Sequence, residues 1–423
     1  MPGVTPSAAA RYRRAEAAAR LKTTERKVSP AGTRHRPNPG TKGRIPLNKQ
    51  QPIARQAPTP GEPTAPELRV GVVGIGWAGQ QHLKAYHGLE GVSIVSLAGM
   101  EQELRDSLQA GYSIPNAFAD WKDMLEHGGL DAVSVAVPTF LHAPIAIAAL
   151  ERGIHVLSEK PIARNAAEGQ AMVDAAREAG RVLDVAFNHR RRGDIKALKE
   201  VIDHGGLGRP YYAKASWLRR SGIPTLGSWF TNPELAGGGP LADIGVHVLD
   251  FALHLLGEPK VVAVSAATHS ELGPQGRGGG SRFSAQASSH AFEVEDFASA
   301  FLRLEDGATL LVEASWAAYR ETDDQLDFTV YGTDGGAELR VHGAPFPPVG
   351  KLRVFTDRDG ESADYLPPVL PGRAHDAVVE DFVTAVRGGE QVWAKHDGSL
   401  ALYRAQIIDA CYQSALEQRE VRL

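Results

Sequence analysis

Three polar side chains in this 423-residue sequence stand where acid–base chemistry can be built on them. Lys160 sits in the turn Glu159-Lys160-Pro161, directly after the apolar run 154–157. A lysine at the mouth of a parallel sheet can hydrogen-bond and polarise a hydroxyl or carbonyl of a bound molecule. Asp243 and His247 follow the run Gly237-Gly238-Gly239. With Asp250 and His254 they keep the spacing of one helical face, while Ile244, Val248, Phe251 and Leu255 take the other. The stripe has three readings. It is a solvated face, or a divalent-metal site on Asp243 and His247 with no obvious third ligand, or a proton-transfer group, since an imidazole with a pKa near ~6.5 takes a proton at neutral pH.

A second chemistry-bearing stretch comes earlier, in LRVGVVGIGWAG from Leu68 to Gly79. Gly74, Gly76 and Gly79 form G-x-G-x-x-G, with Ile75, Trp77 and Ala78 between them. In such a turn the first glycine permits the tight bend, the second lets backbone approach a pyrophosphate, and the third lets helix pack on strand. The helix behind it offers free N–H groups and a positive dipole end to the anion. The β-branched Val70, Val72 and Val73 before the turn and a helical pattern after it supply the strand–turn–helix setting that the motif requires. A carboxylate for the adenosine ribose is expected about 20 residues beyond the glycines, but that position is Gly99, and no arginine sits immediately beside it. Glu101 or Glu103 are substitutes, so the choice between NAD and NADP stays open. Val137, Pro138, Thr139 and His142 fall at the carboxyl end of a further strand, where ligands of such sheets sit.

The elements that must hold these residues follow from hydrophobic periodicity. Strands at 92–98, 132–137, 154–157 and 181–187 alternate with helices near 102–110, 120–127, 141–152 and 165–179, which predicts a doubly wound parallel sheet over 67–190. Beyond a helix at 195–204 the texture changes. Strands at 210–218, 261–268, 297–304, 308–316, 326–332, 337–341 and 352–355 are joined by turns such as Glu305-Asp306-Gly307, predicting an α+β second domain over 191–423 built on a large, open, mainly antiparallel sheet. Two late helices, 375–387 and 399–417, are expected to pack back on the body. Residues 273–289 read as a mobile loop rich in Gly, Ser and Gln. Residues 1–66 carry almost no large apolar side chains after Leu21 and read as a disordered basic tail. Arg13-Arg14 are followed by no apolar segment, so export is not expected.

Composition narrows the partners. Residues 1–67 carry 13 Lys/Arg against 4 Asp/Glu, leaving 33 against 46 in the remainder, a body near −13 within a chain of net charge −4. An acidic body argues against nucleic acid. Cys411 is the sole cysteine, which excludes an intrachain disulfide and thiolate metal clusters and suits a reducing, cytoplasmic setting. No uninterrupted apolar run reaches membrane-spanning length.

The ordered set of a glycine turn, Glu159-Lys160-Pro161, Gly237-Gly238-Gly239 with Asp243 and His247, and Tyr331-Gly332-Thr333-Asp334-Gly335-Gly336 resembles the Gfo/Idh/MocA oxidoreductases over residues 68 to about 420. The resemblance implies NAD(P)-dependent redox chemistry at a carbinol carbon of a sugar, glycoside or cyclitol, with no metal. It makes Lys160, Asp243 and His247 the catalytic trio. Glu159, Lys160, His142 and Arg190 then line the cofactor crevice with the glycine turn, Gly99 and Val137 to Thr139. His247 would act as base, Asp243 would orient its ring, and Lys160 would stabilise alkoxide charge. Arg219 and Trp229, just ahead of the glycine run, are expected to contact substrate. Two other readings remain: a glycosidase or lyase that uses bound NAD transiently, and a non-catalytic dinucleotide sensor. The exposed face of the second sheet is expected to join subunits into a dimer or tetramer.

Overall fold

Strand β1 (Leu68–Val73) enters the first sheet with five of its six residues buried, and β4 (Ala132–Val135) and β5 (His155–Ser158) are buried throughout. Continuous burial is what a parallel strand covered on both faces requires. The computed structural model describes residues 67–279, 292–343 and 350–423; the expected tail 1–66 and positions 280–289 of the expected mobile loop lie outside the described residues. With β2 (Val92–Ala98), β3 (Asn116–Phe118) and β6 (Leu183–Val185), the first sheet has the order β3-β2-β1-β4-β5-β6. Every pair is parallel. Helices α1 (Trp77–His87), α2 (Gln102–Tyr112), α3 (Trp121–His127), α4 (His142–Leu150) and α5 (Ala166–Ala179) connect the strands. Local chemistry sets their ends. Asp120 accepts from the Lys122 N–H at the start of α3, Asn165 accepts from Glu168 N–H at the start of α5, and α5 stops at Gly180 in the left-handed region. The doubly wound sheet expected from the sequence is present, with β3 added to it.

After a 3₁₀ turn at Asn188–Arg191 and α6 (Gly193–Asp203), the chain builds a nine-stranded sheet. Its strands are β7 (Pro210–Arg219), β8 (Val261–His269), β9 (Phe297–Leu304), β10 (Thr309–Ser315), β11 (Asp324–Gly332), β12 (Gly335–His342), β13 (Lys351–Arg358), β14 (Glu361–Ser362) and β15 (Val421–Arg422), in the order β14-β13-β12-β11-β7-β10-β9-β8-β15. The sheet is mixed, because β7 lies between β11 and β10 and runs parallel to β10. These two strands are separated in sequence by α7 (Pro233–Ala236), α8 (Val246–Leu255) and the β8–β9 pair, so they meet by a crossover and not by a hairpin. One face of the sheet is covered by α8 and α11 (Ser399–Glu417), and α10 (Glu390–Trp393) precedes α11. Leu310, Val312, Ala314 and Trp316 point to the covered side. Thr309, Leu311 and Glu313 alternate onto the open side.

The chain does not stay in its second half. Helix α9 (Ala374–Arg387) returns to α1 and puts Val378, Val379, Phe382 and Val383 into one core with Val70 and Val72 of the first sheet and Leu83 and Tyr86 of α1. Burying each such side chain stabilises the fold by roughly 1.5–3 kcal/mol, so α9 is an integral layer of the half built on the first sheet. The described residues accordingly form one unit. Among them, no helix is long and apolar enough to cross a membrane.

Candidate active site

The three glycines of the first turn meet three different demands. Gly74 has φ +91°, and a Cβ there would lie 2.1 Å from the Ala136 carbonyl oxygen. A Cβ on Gly79 would lie 1.9 Å from the Gly74 carbonyl oxygen, which is the close packing of helix on strand. A Cβ on Gly76 would meet nothing within 4 Å. That glycine instead opens space in front of α1, whose first turn has neither a side-chain cap nor an acidic residue. An uncapped helix N-terminus behind an unobstructed backbone fits a pyrophosphate. Ile75 is buried beneath the turn, Ala78 is partly buried, and Trp77 is exposed with its ring edge-on to His375.

At the end of β4, Val137, Pro138 and Thr139 lead into α4, whose first residue, His142, is buried. Its ring ties two turns together, with Nδ1 2.8 Å from the Pro161 carbonyl oxygen and Nε2 2.8 Å from that of Val137. Glu159 is likewise buried, 3.2 Å from His82 Nε2 and 3.7 Å from His375 Nε2, and it accepts from the Lys160 N–H. Burial alone would push its carboxyl up, but the hydrogen bond from His82 and the charges of His82, His375 and Lys160 outweigh it and hold the group down to about 2. A fixed carboxylate under the turn sets where the Lys160 backbone lies.

The lysine side chain crosses to the second half of the protein. Lys160 Nζ donates to Asp243 Oδ1 at 2.9 Å and to the Asp243 carbonyl at 3.0 Å. Trp316 Nε1 donates to Asp243 Oδ2 at 3.0 Å. Burial disfavours the Asp243 carboxylate, but the Lys160 and Arg219 cations more than offset this and lower its pKa. His247 is 6% exposed, with its ring 4.5 Å from that of His189 and 5.8 Å from that of Trp217. Its Nδ1 has no hydrogen-bond partner among the described residues. Burial first, and then the neighbouring Lys160 cation, push its pKa well below the ordinary imidazole value.

The run Gly237-Gly238-Gly239 positions this pair by contact. A Cβ at 237 would meet the Arg164 carbonyl oxygen at 2.3 Å, one at 238 the Tyr412 hydroxyl at 2.0 Å, and one at 239 the Glu295 carbonyl oxygen at 2.2 Å. The Glu295 carboxylate accepts from the N–H groups of Gly239 and Leu241 and from the Tyr412 hydroxyl, all within 3.0 Å. Next comes a π turn at Leu241–Gly245 and then α8. The uniform α-helical stripe expected from spacing is therefore corrected, because the π turn rotates Asp243 toward Lys160 and away from the register of α8. Asp243 also does not orient the His247 ring as expected. No hydrogen bond joins Asp243 to the His247 ring; Asp243 orients Lys160 and Trp316. Asp250, also on the expected stripe, is buried between Arg190 and Arg404.

Arg190 is placed differently from the expectation that it lines the cofactor crevice. Its guanidinium pairs with Asp250 and Glu258 and lies over Phe187. Gly99 closes β2, and a Cβ there would meet Ile75 of the glycine turn at 2.5 Å. Arg219 stacks 4.9 Å from the Trp217 ring and pairs with Asp324. Its charge is felt by both Asp243 and His247. Trp229 stacks on Phe230, which meets Trp316 edge-on. Glu295, Trp316, Tyr412, His189, His82 and His375 went unread in the sequence. Trp316 was legible only as the end of a strand, and nothing local marks the others as converging here. Among the described residues no group of three or more His, Cys, Asp or Glu is arranged to hold a metal ion.

Residues 68–187 match the family described as "Oxidoreductase family, NAD-binding Rossmann fold", and residues 195–338 match the GFO/IDH/MocA C-terminal domain. D-glucoside 3-dehydrogenase of Escherichia coli (strain K12) is 32% identical over 362 residues, 85% of this chain and 99% of that protein. The chain belongs to the Gfo/Idh/MocA oxidoreductase family. Levoglucosan dehydrogenase of Pseudarthrobacter phenanthrenivorans is 30% identical over 318 residues, 72% of this chain and 81% of that one. A structure of levoglucosan dehydrogenase in complex with NADH and L-sorbose superposes with a TM-score of 0.70 at 26% identity, covering 85% of this chain and 99% of that one. The first half of the chain is thus an NAD-binding Rossmann domain.

Proposed function

We propose that this protein is an NAD(P)-dependent dehydrogenase acting on a carbinol carbon of a sugar, glycoside or cyclitol. The observation that carries this reading is the Lys160–Asp243 pair, which joins the rim of the first sheet to the π turn leading into the helix that bears His247. Relatives named D-glucoside 3-dehydrogenase and levoglucosan dehydrogenase point to the same substrate class. The bound nicotinamide supplies the hydride acceptor for an alcohol, or the donor for a ketone. On the protein side, His247 is neutral at physiological pH and takes the hydroxyl proton. Lys160, fixed on Asp243, donates to the same oxygen and stabilises negative charge as it grows there. Asp243 holds the ammonium in place and compensates its charge in a half-buried site. Trp229 offers a flat apolar surface to the sugar ring, and Arg219 offers hydroxyl-binding N–H groups.

The test is to follow reduced-nicotinamide absorbance and free-sugar release together, with NAD and NADP separately, against glycosides, free sugars and inositols. Accumulation of reduced cofactor without sugar release is expected. Sugar release with no net cofactor turnover would point to the glycosidase chemistry instead, and neither signal with any member of the panel would leave only a sensor. We further propose a homodimer or homotetramer built on the open face of the nine-stranded sheet, and a cytoplasmic location, which cell fractionation would check.

A further inference from the structure

We infer that this chain prefers the 2′-phosphorylated dinucleotide, NADP(H), and that Arg105 is the residue that selects it; the inference rests on the dinucleotide-dependent reading above. The end of β2 is where a dinucleotide of this fold presents its adenosine ribose. A carboxylate there receives the free 2′-hydroxyl, whereas an arginine nearby accommodates a 2′-phosphate. Here the carboxylate position is Gly99, and the packing keeps it so. A Cβ at 99 would lie 2.5 Å from both Cδ1 and Cγ1 of Ile75, a residue that is itself only 2% exposed. Any acidic side chain at 99 would have to displace the floor of the glycine turn.

The neighbouring cation was invisible as a sequence neighbour. Arg105 lies six positions further on, in the body of α2, yet the helix brings it back over the strand end, where Nη1 donates to the Gly99 carbonyl at 2.7 Å. One arm of the guanidinium is thereby anchored. No carboxylate among the described residues pairs with it, so its charge and the remaining donors are available to an anion. Arg190, Arg192 and Arg219, by contrast, are committed: Arg190 to Asp250 and Glu258, Arg192 to Asp194, Arg219 to Asp324. The competing acceptors for a ribose hydroxyl are Glu101 and Glu103, both exposed at the start of α2.

Equilibrium titration of the full chain with NADPH and with NADH, read by nicotinamide fluorescence and with no sugar present, decides the matter. NADPH is expected to bind at least ~10-fold more tightly, and Arg105→Ala to weaken NADPH by ~10-fold or more while changing NADH by less than about twofold, the signature of a lost charge-assisted contact to phosphate. Retained NADH binding also reports that the variant is folded. The inference is overturned if NADH binds as tightly as NADPH, if Arg105→Ala weakens both alike, or if Glu101→Ala selectively weakens NADH. Binding of neither nucleotide would sink the dinucleotide reading as well.

Discussion

His247 is a base made ready by its surroundings. Burial and the adjacent Lys160 cation disfavour its charged form, so the ring remains neutral well into the acid range and needs no deprotonation before it can act. The sign of the effect is testable. Only the neutral imidazole accepts a proton, and a lowered pKa moves the acid limb of kcat/KM for alcohol oxidation to lower pH. The limb attributable to His247 should therefore fall below the ~6.5 of a free imidazole. A limb centred at or above that value would contradict the buried, cation-flanked environment. Asp243 illustrates a complementary point. Spacing alone suggested a partner for the histidine, but the side chain that reaches it is Lys160, 83 residues earlier. Sequence separation hides such pairs, and only the meeting of the two halves brings them together.

Among the elements, the link from Gly237 to α8 governs the geometry of the site. Glu295 satisfies the backbone donors of Gly239 and Leu241, and the Tyr412 hydroxyl satisfies Glu295 in turn. Gly239→Ala would force its new methyl against the Glu295 backbone; such overpacking typically costs ~1–3 kcal/mol. The expected outcome is a lower melting temperature together with a reduced kcat, measured by thermal denaturation and steady-state kinetics. Tyr412→Phe, which removes a single hydrogen bond and no bulk, should be milder in both. A Gly239→Ala protein with wild-type stability and turnover would show that the close contact is not needed. These elements also show what the sequence could disclose. Strands β2 and β9 and helix α11 were legible to the residue, since long periodic runs with clear ends leave little choice of boundary. Strand β3 was not, because Asn116–Phe118 is too short and too exposed to carry a period. The π turn at Leu241–Gly245 reads as ordinary helix in the sequence, since local apolar spacing does not distinguish a hydrogen bond spanning four residues from one spanning five. The parallel pairing of β7 with β10 depends on a crossover through α7, α8, β8 and β9, which no local pattern encodes.

For the whole molecule, the two sheets differ in what they leave open. The first is covered on both faces. The second is covered on one, and its other face carries Tyr212 stacked on Tyr331, with Leu311 opposite Phe301 and Lys214 paired with Glu313. A half-exposed face that mixes aromatic and aliphatic side chains with an ion pair suits a two-fold interface with a second copy. Light scattering should give a dimer or tetramer mass, and Leu311→Glu, placing a charge at its centre, should shift that mass toward the monomer; a monomeric wild-type protein would refute the arrangement. The residues of 308–316 divide between the two faces. Leu310, Val312, Ala314 and Trp316 belong to the core, and Thr309, Leu311 and Glu313 belong to the open face. Strands β1–β6 all precede residue 190 and β7–β15 all follow it, yet α9 closes the first half from far down the chain.

The central claim is that an ammonium from one half and an imidazole from the other act on one substrate oxygen. The most direct measurement is the turnover of Lys160→Ala and His247→Ala under saturating cofactor, with nucleotide binding checked in each. Both are predicted to lose roughly 100-fold or more in kcat while binding the dinucleotide as the wild type does. Wild-type turnover in either variant would contradict the account.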